Sequence, residues 1–134
     1  MSNDPICTED EIKALVQAFY AVVRKDERLG PIFNGHISDW NAHLEKLEDF
    51  WCAILLGSRR FTGTPMPKHI ALPDLSAELF EHWLALFRQT LANQPNHALQ
   101  TQAEQMAGKI ANSLWMGYQM HRKPGNLPTD LAIA

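Results

Sequence analysis

The sequence predicts an all-α protein, and three features support this fold class. Apolar residues recur every three or four positions in four long segments, as they do along one face of a helix. Residues that favour helix starts precede these segments, and glycine or proline follows several of them. No segment shows the alternation of a half-buried strand. We therefore expect four main helices, with a long irregular connection between the second and the third.

A capping box predicts that the first helix begins near Glu9. Thr8 and Glu11 are three positions apart, the spacing at which each side chain can hydrogen-bond the backbone N–H of the other. The helix is expected to end before the Gly-Pro pair at 30–31. In the short link that follows, Phe33 is expected to lie in a bend.

The second and third helices carry the aromatic faces of the chain. Ser38 or Asp39 is expected to cap the second helix, which has His43 in the middle of its apolar face and ends at Gly57. Ser76 is expected to cap the third helix. The apolar stripe of that helix consists of Leu79, Phe80, Trp83, Leu84, Phe87 and Leu91.

A fourth helix follows a polar break and carries its apolar face to Tyr118. A chain of 134 residues can bury roughly two-thirds of its unfolded surface, which is enough for one core. We expect a single domain over residues 1–134, with its helical core at about 9–118 and a loosely held tail at 119–134.

Charge and cysteine content exclude several classes of protein. A net charge of -3 and a pI near 6.0 argue against nucleic-acid and membrane-surface binding. Two cysteines outside any C-x-x-C motif do not form a disulfide framework or a structural zinc site. The acidic start of the chain does not resemble a signal peptide, and no apolar run approaches about 18 residues. We expect a cytoplasmic monomer.

Four residues are candidates for a functional site, although each taken alone is more often structural. His69 lies in a loop whose backbone is restrained by prolines on either side, but most loop histidines bind nothing. Tyr20, His43 and Trp83 interrupt or line apolar faces, where such residues are usually part of the core. Because buried polar groups cost free energy unless paired, several of them in one small domain suggest a shared ligand. The other histidines are interpreted as surface residues.

Four blocks of sequence resemble a known family in their order and spacing. They are F-Y-A-V-V-R-K-D-E-R-L-G-P-I-F, D-W-N-A-H-L-E-K-L-E-D-F-W, G-T-P-M-P-K-H-I-A-L-P and F-E-H-W-L-A-L-F. They resemble the truncated haemoglobins, a bacterial globin family, and specifically their third group, and the resemblance covers roughly residues 9–118. The glycine-pair motifs of other truncated globins are missing, as expected of that group. The resemblance implies a two-over-two helical sandwich around haem b.

The resemblance also implies roles for individual residues. His69 matches the proximal histidine that binds the haem iron, and Tyr20 and Trp83 match distal residues that can hydrogen-bond a small ligand. His43 matches the distal position that gates or lines the pocket. The apolar positions around the porphyrin are Phe33, Leu47, Phe50, Leu72, Phe80 and Phe87.

Basic residues near these positions are candidates for binding the haem propionates. They are Lys46, Arg59, Arg60 and Lys68. A basic residue on a protein surface is usually only solvated, so position alone does not select one of them.

Three hypotheses from different classes remain open. The first is a haem protein that binds O2 and related ligands such as CO and NO. The second is an enzyme with the same site, either a nitric oxide dioxygenase that uses O2-loaded ferrous haem or a peroxidase-like enzyme. Because the chain contains no flavin or nicotinamide domain, such turnover requires an external reductase. The third is a helical interaction module without haem, in which the aromatic residues are only core.

Overall fold

The computed structural model describes residues 6–57 and 75–122, except the side chains of His36, His121 and Arg122. Every regular element within these two ranges is a helix, which confirms the all-α class. The helices are α1 (Glu9–Lys25), α2 (Gly30–His36), α3 (Trp40–Leu56), α4 (Ala77–Leu91) and α5 (His97–Arg122).

The predicted helix starts are confirmed. In the capping box of α1, the Glu11 N–H donates to Thr8 Oγ1 over 3.1 Å and the Thr8 N–H donates to Glu11 Oε1 over 2.9 Å. Of the two candidates for α3, Asp39 is the cap, and its carboxylate accepts from a backbone N–H of the first turn. The Ser76 hydroxyl caps α4 in the same way. Sequence-local hydrogen bonds therefore determine where these helices begin.

The link between the first two predicted helices was predicted as a bend, and this was wrong. It forms α2, a helix of seven residues that carries Phe33. Pro31 does not prevent this helix, because a proline in the first turn lacks only an N–H that has no intrahelical partner there. The Asp26 carboxylate stabilises the preceding turn by accepting two of its backbone N–H groups.

The last helix is longer than its apolar face suggested. Asn96 caps its start by accepting the Leu99 N–H over 3.1 Å, and α5 continues past Tyr118 to Arg122. Gly108 and Gly117 in its interior each cost only about 1 kcal/mol, which buried residues of the same helix such as Tyr118 can offset. Part of the predicted tail is therefore helical, and residues 123–134 lie outside the described ranges.

Helices α1 and α3 form one antiparallel pair. The Gln17 side-chain amide of α1 donates to Glu48 Oε1 of α3 over 3.1 Å. The rings of Tyr20 in α1 and His43 in α3 lie with their centroids 6.4 Å apart. Since higher numbers in α1 pair with lower numbers in α3, the two helices run in opposite directions.

Helices α4 and α5 form a second antiparallel pair. Arg88 Nε of α4 lies 2.9 Å from Glu104 Oε1 of α5. Nearer the start of α4, the rings of Phe80 and Trp115 are 5.8 Å apart. Because lower numbers in α4 pair with higher numbers in α5, these two helices also run in opposite directions.

The two pairs pack on each other through aromatic rings. Phe19 of α1 contacts Trp83 and Phe87 of α4 edge-on, with centroids 5.2 and 4.9 Å apart. Trp51 of α3 stacks on Phe87 at 5.4 Å. This gives two helices over two helices, the arrangement that the resemblance implied.

Close packing of α2 on α1 requires glycine at position 30. A Cβ at Gly30 would lie 2.7 Å from the Arg24 carbonyl oxygen, whereas a Cβ at Gly35 in the same helix would have no neighbour within 4 Å. Gly30→Ala must therefore push α2 away from α1, and we expect a loss of about 1 to 3 kcal/mol in the free energy of unfolding. Gly35→Ala is the matched control and should stabilise the protein by up to about 1 kcal/mol. Urea unfolding measures the free energy of unfolding of both variants. Equal changes in the two variants would contradict the packing argument.

Candidate functional site

Tyr20 is the buried polar centre of the candidate site. Its side chain is only 5% exposed, and the indole N–H of Trp83 donates a hydrogen bond to its hydroxyl oxygen. Burial raises the pKa of this hydroxyl well above its ordinary value, and the bond from Trp83 offsets only part of that effect. The hydroxyl is therefore neutral under physiological conditions and keeps its own proton for donation.

Helix geometry explains how neighbouring residues of α1 reach different partners. Successive residues of a helix point about 100° apart, so Phe19 faces α4 while Tyr20 faces α2 and α3. Around Tyr20 stand Phe33 of α2 and Trp40 of α3, with ring centroids 6.1 and 6.3 Å from its own. Aromatic rings thus line the Tyr20 ring on these sides.

The structure brings the three predicted distal residues together. His43 of α3 lies edge-on to Tyr20 at 6.4 Å and 88°, and Trp83 of α4 hydrogen-bonds the same tyrosine. His43 and Trp83 are each partly buried. Three helices therefore contribute one polar side chain each to a single cluster, and the roles of these residues stay a prediction.

The predicted apolar residues differ in how deeply they are buried. Phe33, Leu47 and Phe50 are partly buried and pack against the core. Phe87 is only 2% exposed and lies between the stacked rings of Trp83 and Trp51, so it supports Trp83 from within the core.

Part of the predicted site lies outside the described residues. The predicted proximal ligand, one predicted apolar position and three of the candidate basic residues lie there. They are His69, Leu72, Arg59, Arg60 and Lys68. Of the candidate propionate ligands, Lys46 is described, and it is exposed on α3.

Sequence reasoning missed a hydrogen bond between His82 and Asp26 beside Trp83. His82 was predicted to be a surface residue, but its side chain is 25% exposed and Nε2 lies 2.8 Å from Asp26 Oδ1. The side chain of Asp26 is only 14% exposed. The two residues are 56 positions apart, so no local pattern could have paired them. The pair joins the end of α1 to α4, next to Trp83.

The surroundings of Asp26 predict a pH dependence of stability. Partial burial alone would raise the pKa of its carboxyl, but hydrogen bonds from Leu29, His82 and Arg28 outweigh this effect and hold it below its ordinary value of 3.8. A carboxyl with a lowered folded-state pKa adds stability above its unfolded pKa, and the gain is lost as pH falls through the folded pKa.

We expect Asp26→Asn to lower the midpoint of thermal unfolding near neutral pH. The difference from wild type should shrink as the pH falls below about 3.8, because the wild-type carboxyl then also becomes neutral. Thermal unfolding between about pH 7 and about pH 3 measures this. Glu45→Gln changes an exposed carboxyl of α3 and is the control. If the difference in unfolding midpoint between wild type and Asp26→Asn stayed constant across this pH range, the argument would be contradicted.

Both cysteines are free and buried in the structure. Burial raises the pKa of the Cys7 thiol, as do the nearby Glu11 and Cys52. Cys7 is therefore a poor nucleophile.

None of the helices in the described ranges has the length and apolar character needed to cross a membrane.

Comparison with known proteins identifies the family. Residues 3–114 match the family described as bacterial-like globin. The chain belongs to this globin family. It is also 39% identical over 108 residues to the group 3 truncated hemoglobin ctb of Campylobacter jejuni, covering 78% of this chain and 85% of that protein. The crystal structure of the group III truncated hemoglobin from Campylobacter jejuni superposes with a TM-score of 0.78 at 36% identity, covering 90% of this globin and 95% of that chain.

These comparisons confirm the resemblance to the third group and the truncated globin fold. The globin family implies a haem cofactor, and the described residues fit one. Several apolar side chains of α3 and α4 pack on the core yet keep part of their surface exposed, as a flat apolar group would require. They are Leu44, Leu47, Phe50, Leu79 and Trp83. The hydroxyl of the buried Tyr20 is a polar group hydrogen-bonded by Trp83, a member of this set.

Proposed function

We propose that this globin binds haem b through His69 and uses it to bind O2 and other small ligands, such as CO and NO, as a cytoplasmic monomer. The observation that carries the proposal is the neutral Tyr20 hydroxyl, buried among aromatic rings and hydrogen-bonded by Trp83. The haem supplies the iron that binds the ligand. The chain supplies an apolar cavity with a fixed hydrogen-bond donor.

The order of the hydrogen bonds determines which group donates to the ligand. An indole N–H can only donate, so Trp83 uses one acceptor position of the Tyr20 oxygen and leaves the hydroxyl proton available. Hydrogen bonds in a chain polarise one another, which makes the hydroxyl a better donor. Tyr20 is therefore the direct donor in this arrangement, and Trp83 acts through it.

Such a donor favours ligands that carry negative charge on the outer atom. O2 in a haem pocket carries partial negative charge there, and a hydrogen bond to a charged group contributes about 1.5 to 3 kcal/mol. CO carries much less charge, so it gains less. Tight retention of O2 follows more naturally than rapid delivery.

Absorbance of the purified protein tests the proposal. Protein produced with sufficient haem should show an intense Soret band and about one haem per chain. A protein that lacks this band and does not bind added haem would instead support the helical interaction module.

A second candidate function uses the same donor for chemistry. The protonated Tyr20 hydroxyl, polarised by Trp83, could assist a nitric oxide dioxygenase or a peroxidase-like reaction at the haem. Turnover would require an external reductase. Stopped-flow comparison of O2 release with nitric oxide consumption separates the two functions, since a ligand-binding protein consumes nitric oxide no more than once per loading.

A further inference from the structure

Trp40, the first residue of α3, contacts the distal pocket from its outer side. Its ring lies edge-on to His43, with centroids 5.7 Å apart and an interplanar angle of 87°. These residues are three positions apart, so they share one face of the helix. Tyr20 also lies against His43, and its ring is likewise perpendicular to the imidazole. The rings of Trp40 and Tyr20 are themselves 6.3 Å apart, so the three rings form one cluster in which both contact the imidazole.

Trp40 is itself held by groups of α1 and α2. Its indole Nε1–H donates to Asn34 Oδ1 over 3.1 Å, and the Asn34 side-chain amide donates to the Arg24 carbonyl oxygen over 3.2 Å. The Arg24 guanidinium lies over the Trp40 ring, 4.6 Å from its centroid, in a cation–π contact. The hydrogen bond to Asn34 thus holds the edge of the Trp40 ring, and the Arg24 guanidinium contacts one of its faces.

We propose that Asn34 and Arg24 clamp Trp40, and that the clamped ring positions His43 and so limits how fast small ligands enter the pocket. The proposal rests on the proposed function and on the role that the resemblance implies for His43, which is to gate the pocket. Trp40 is a positioning residue here, because it acts through His43 and not on the ligand itself. With the ring fixed, the imidazole has few rotamers that avoid both Trp40 and Tyr20.

Asn34→Leu tests the clamp, because it removes the acceptor for the Trp40 N–H at similar size. We expect the CO association rate to rise about three- to tenfold, while O2 and CO dissociation change less than about twofold, since the Tyr20 donor is untouched. Asn34→Asp keeps an acceptor and should retain the wild-type association rate. Asn41→Leu makes the same substitution at an exposed site beside Trp40 and should also leave the rate unchanged.

A double-mutant cycle separates positioning from a general structural effect. His43→Ala should speed association by itself, and adding Asn34→Leu should then have no further effect, because the clamped group is gone. If Asn34→Leu speeds association equally in both backgrounds, Trp40 does not act through His43 and the proposal is wrong. If Asn34→Leu does not fold, Arg24→Gln weakens the clamp from the other side and should give a smaller rise in the same direction.

A readout without haem distinguishes this inference from the proposed function. The indole N–H of Trp40, assigned in the NMR spectrum by its loss in Trp40→Phe, should exchange with solvent more slowly in wild type and Asn34→Asp than in Asn34→Leu. Equal exchange in all three would show that the hydrogen bond to Asn34 does not hold the ring, and would overturn the clamp. Failure of haem binding with slow exchange intact would contradict the proposed function while leaving the clamp in place.

Discussion

Replacing His69 by alanine should remove most of the bound haem while leaving the helical content close to that of wild type. The resemblance assigns His69 the protein's bond to the iron. Removing an outer-shell partner of a metal ligand typically costs about 10- to 100-fold in affinity, and loss of the ligand itself should cost at least as much. The helices should still form, because the capping residues and apolar faces of α1 to α5 do not include His69.

The haem-to-protein ratio, the ferrous absorbance spectrum and far-UV circular dichroism measure this outcome. His97→Ala, which changes an exposed histidine at the start of α5, is the control. His69→Gly in the presence of imidazole should recover part of the ferrous spectrum, since free imidazole can occupy the position of the lost side chain. Normal haem content with an unchanged spectrum in His69→Ala would refute the assignment.

Tyr20→Phe should speed O2 dissociation by about ten- to a hundredfold, because it removes the donor and keeps the ring. CO dissociation is the internal control and should change far less, since CO carries little charge to receive a hydrogen bond. Because burial keeps the hydroxyl protonated, the effect should not fade at pH values near the ordinary tyrosine pKa of about 10. Stopped-flow ligand replacement measures both rates. Small and equal changes for O2 and CO would mean that the hydroxyl does not face the ligand.

Trp83→Phe tests the order of the donors. Its effect on O2 dissociation should be smaller than that of Tyr20→Phe, because Trp83 donates to Tyr20 in the described arrangement. The double variant should be non-additive, with Trp83→Phe changing little once the hydroxyl is gone. Additive effects would mean that each residue reaches the ligand independently.

Features set by local sequence could be predicted, and features set by tertiary contacts could not. Capping side chains such as Thr8, Asp39 and Ser76 lie within three residues of the N–H groups that they bind, so spacing alone reveals them. The helix α2 was missed because a Gly-Pro pair normally ends a helix, whereas here it begins one.

The candidate site was predicted only in part for the same reason. Periodicity placed Tyr20, His43 and Trp83 on apolar faces, and the resemblance assigned their roles. The hydrogen bond from Trp83 to Tyr20 joins residues far apart in sequence, and so does the pair of Asp26 and His82. Such bonds depend on how α1 crosses α4, which periodicity within each helix does not specify.

Glu48 of α3 is buried, and the hydrogen bond that it accepts from the exposed Gln17 of α1 helps to fix the register of these two helices. Apolar faces alone tolerate sliding, because one aliphatic side chain replaces another at little cost. A slip of one turn, about 5.4 Å, would separate the Glu48 carboxylate from its amide donor and leave it desolvated. The same slip would carry His43 away from Tyr20, so a hydrogen bond outside the candidate site favours the alignment in which these two rings are in contact.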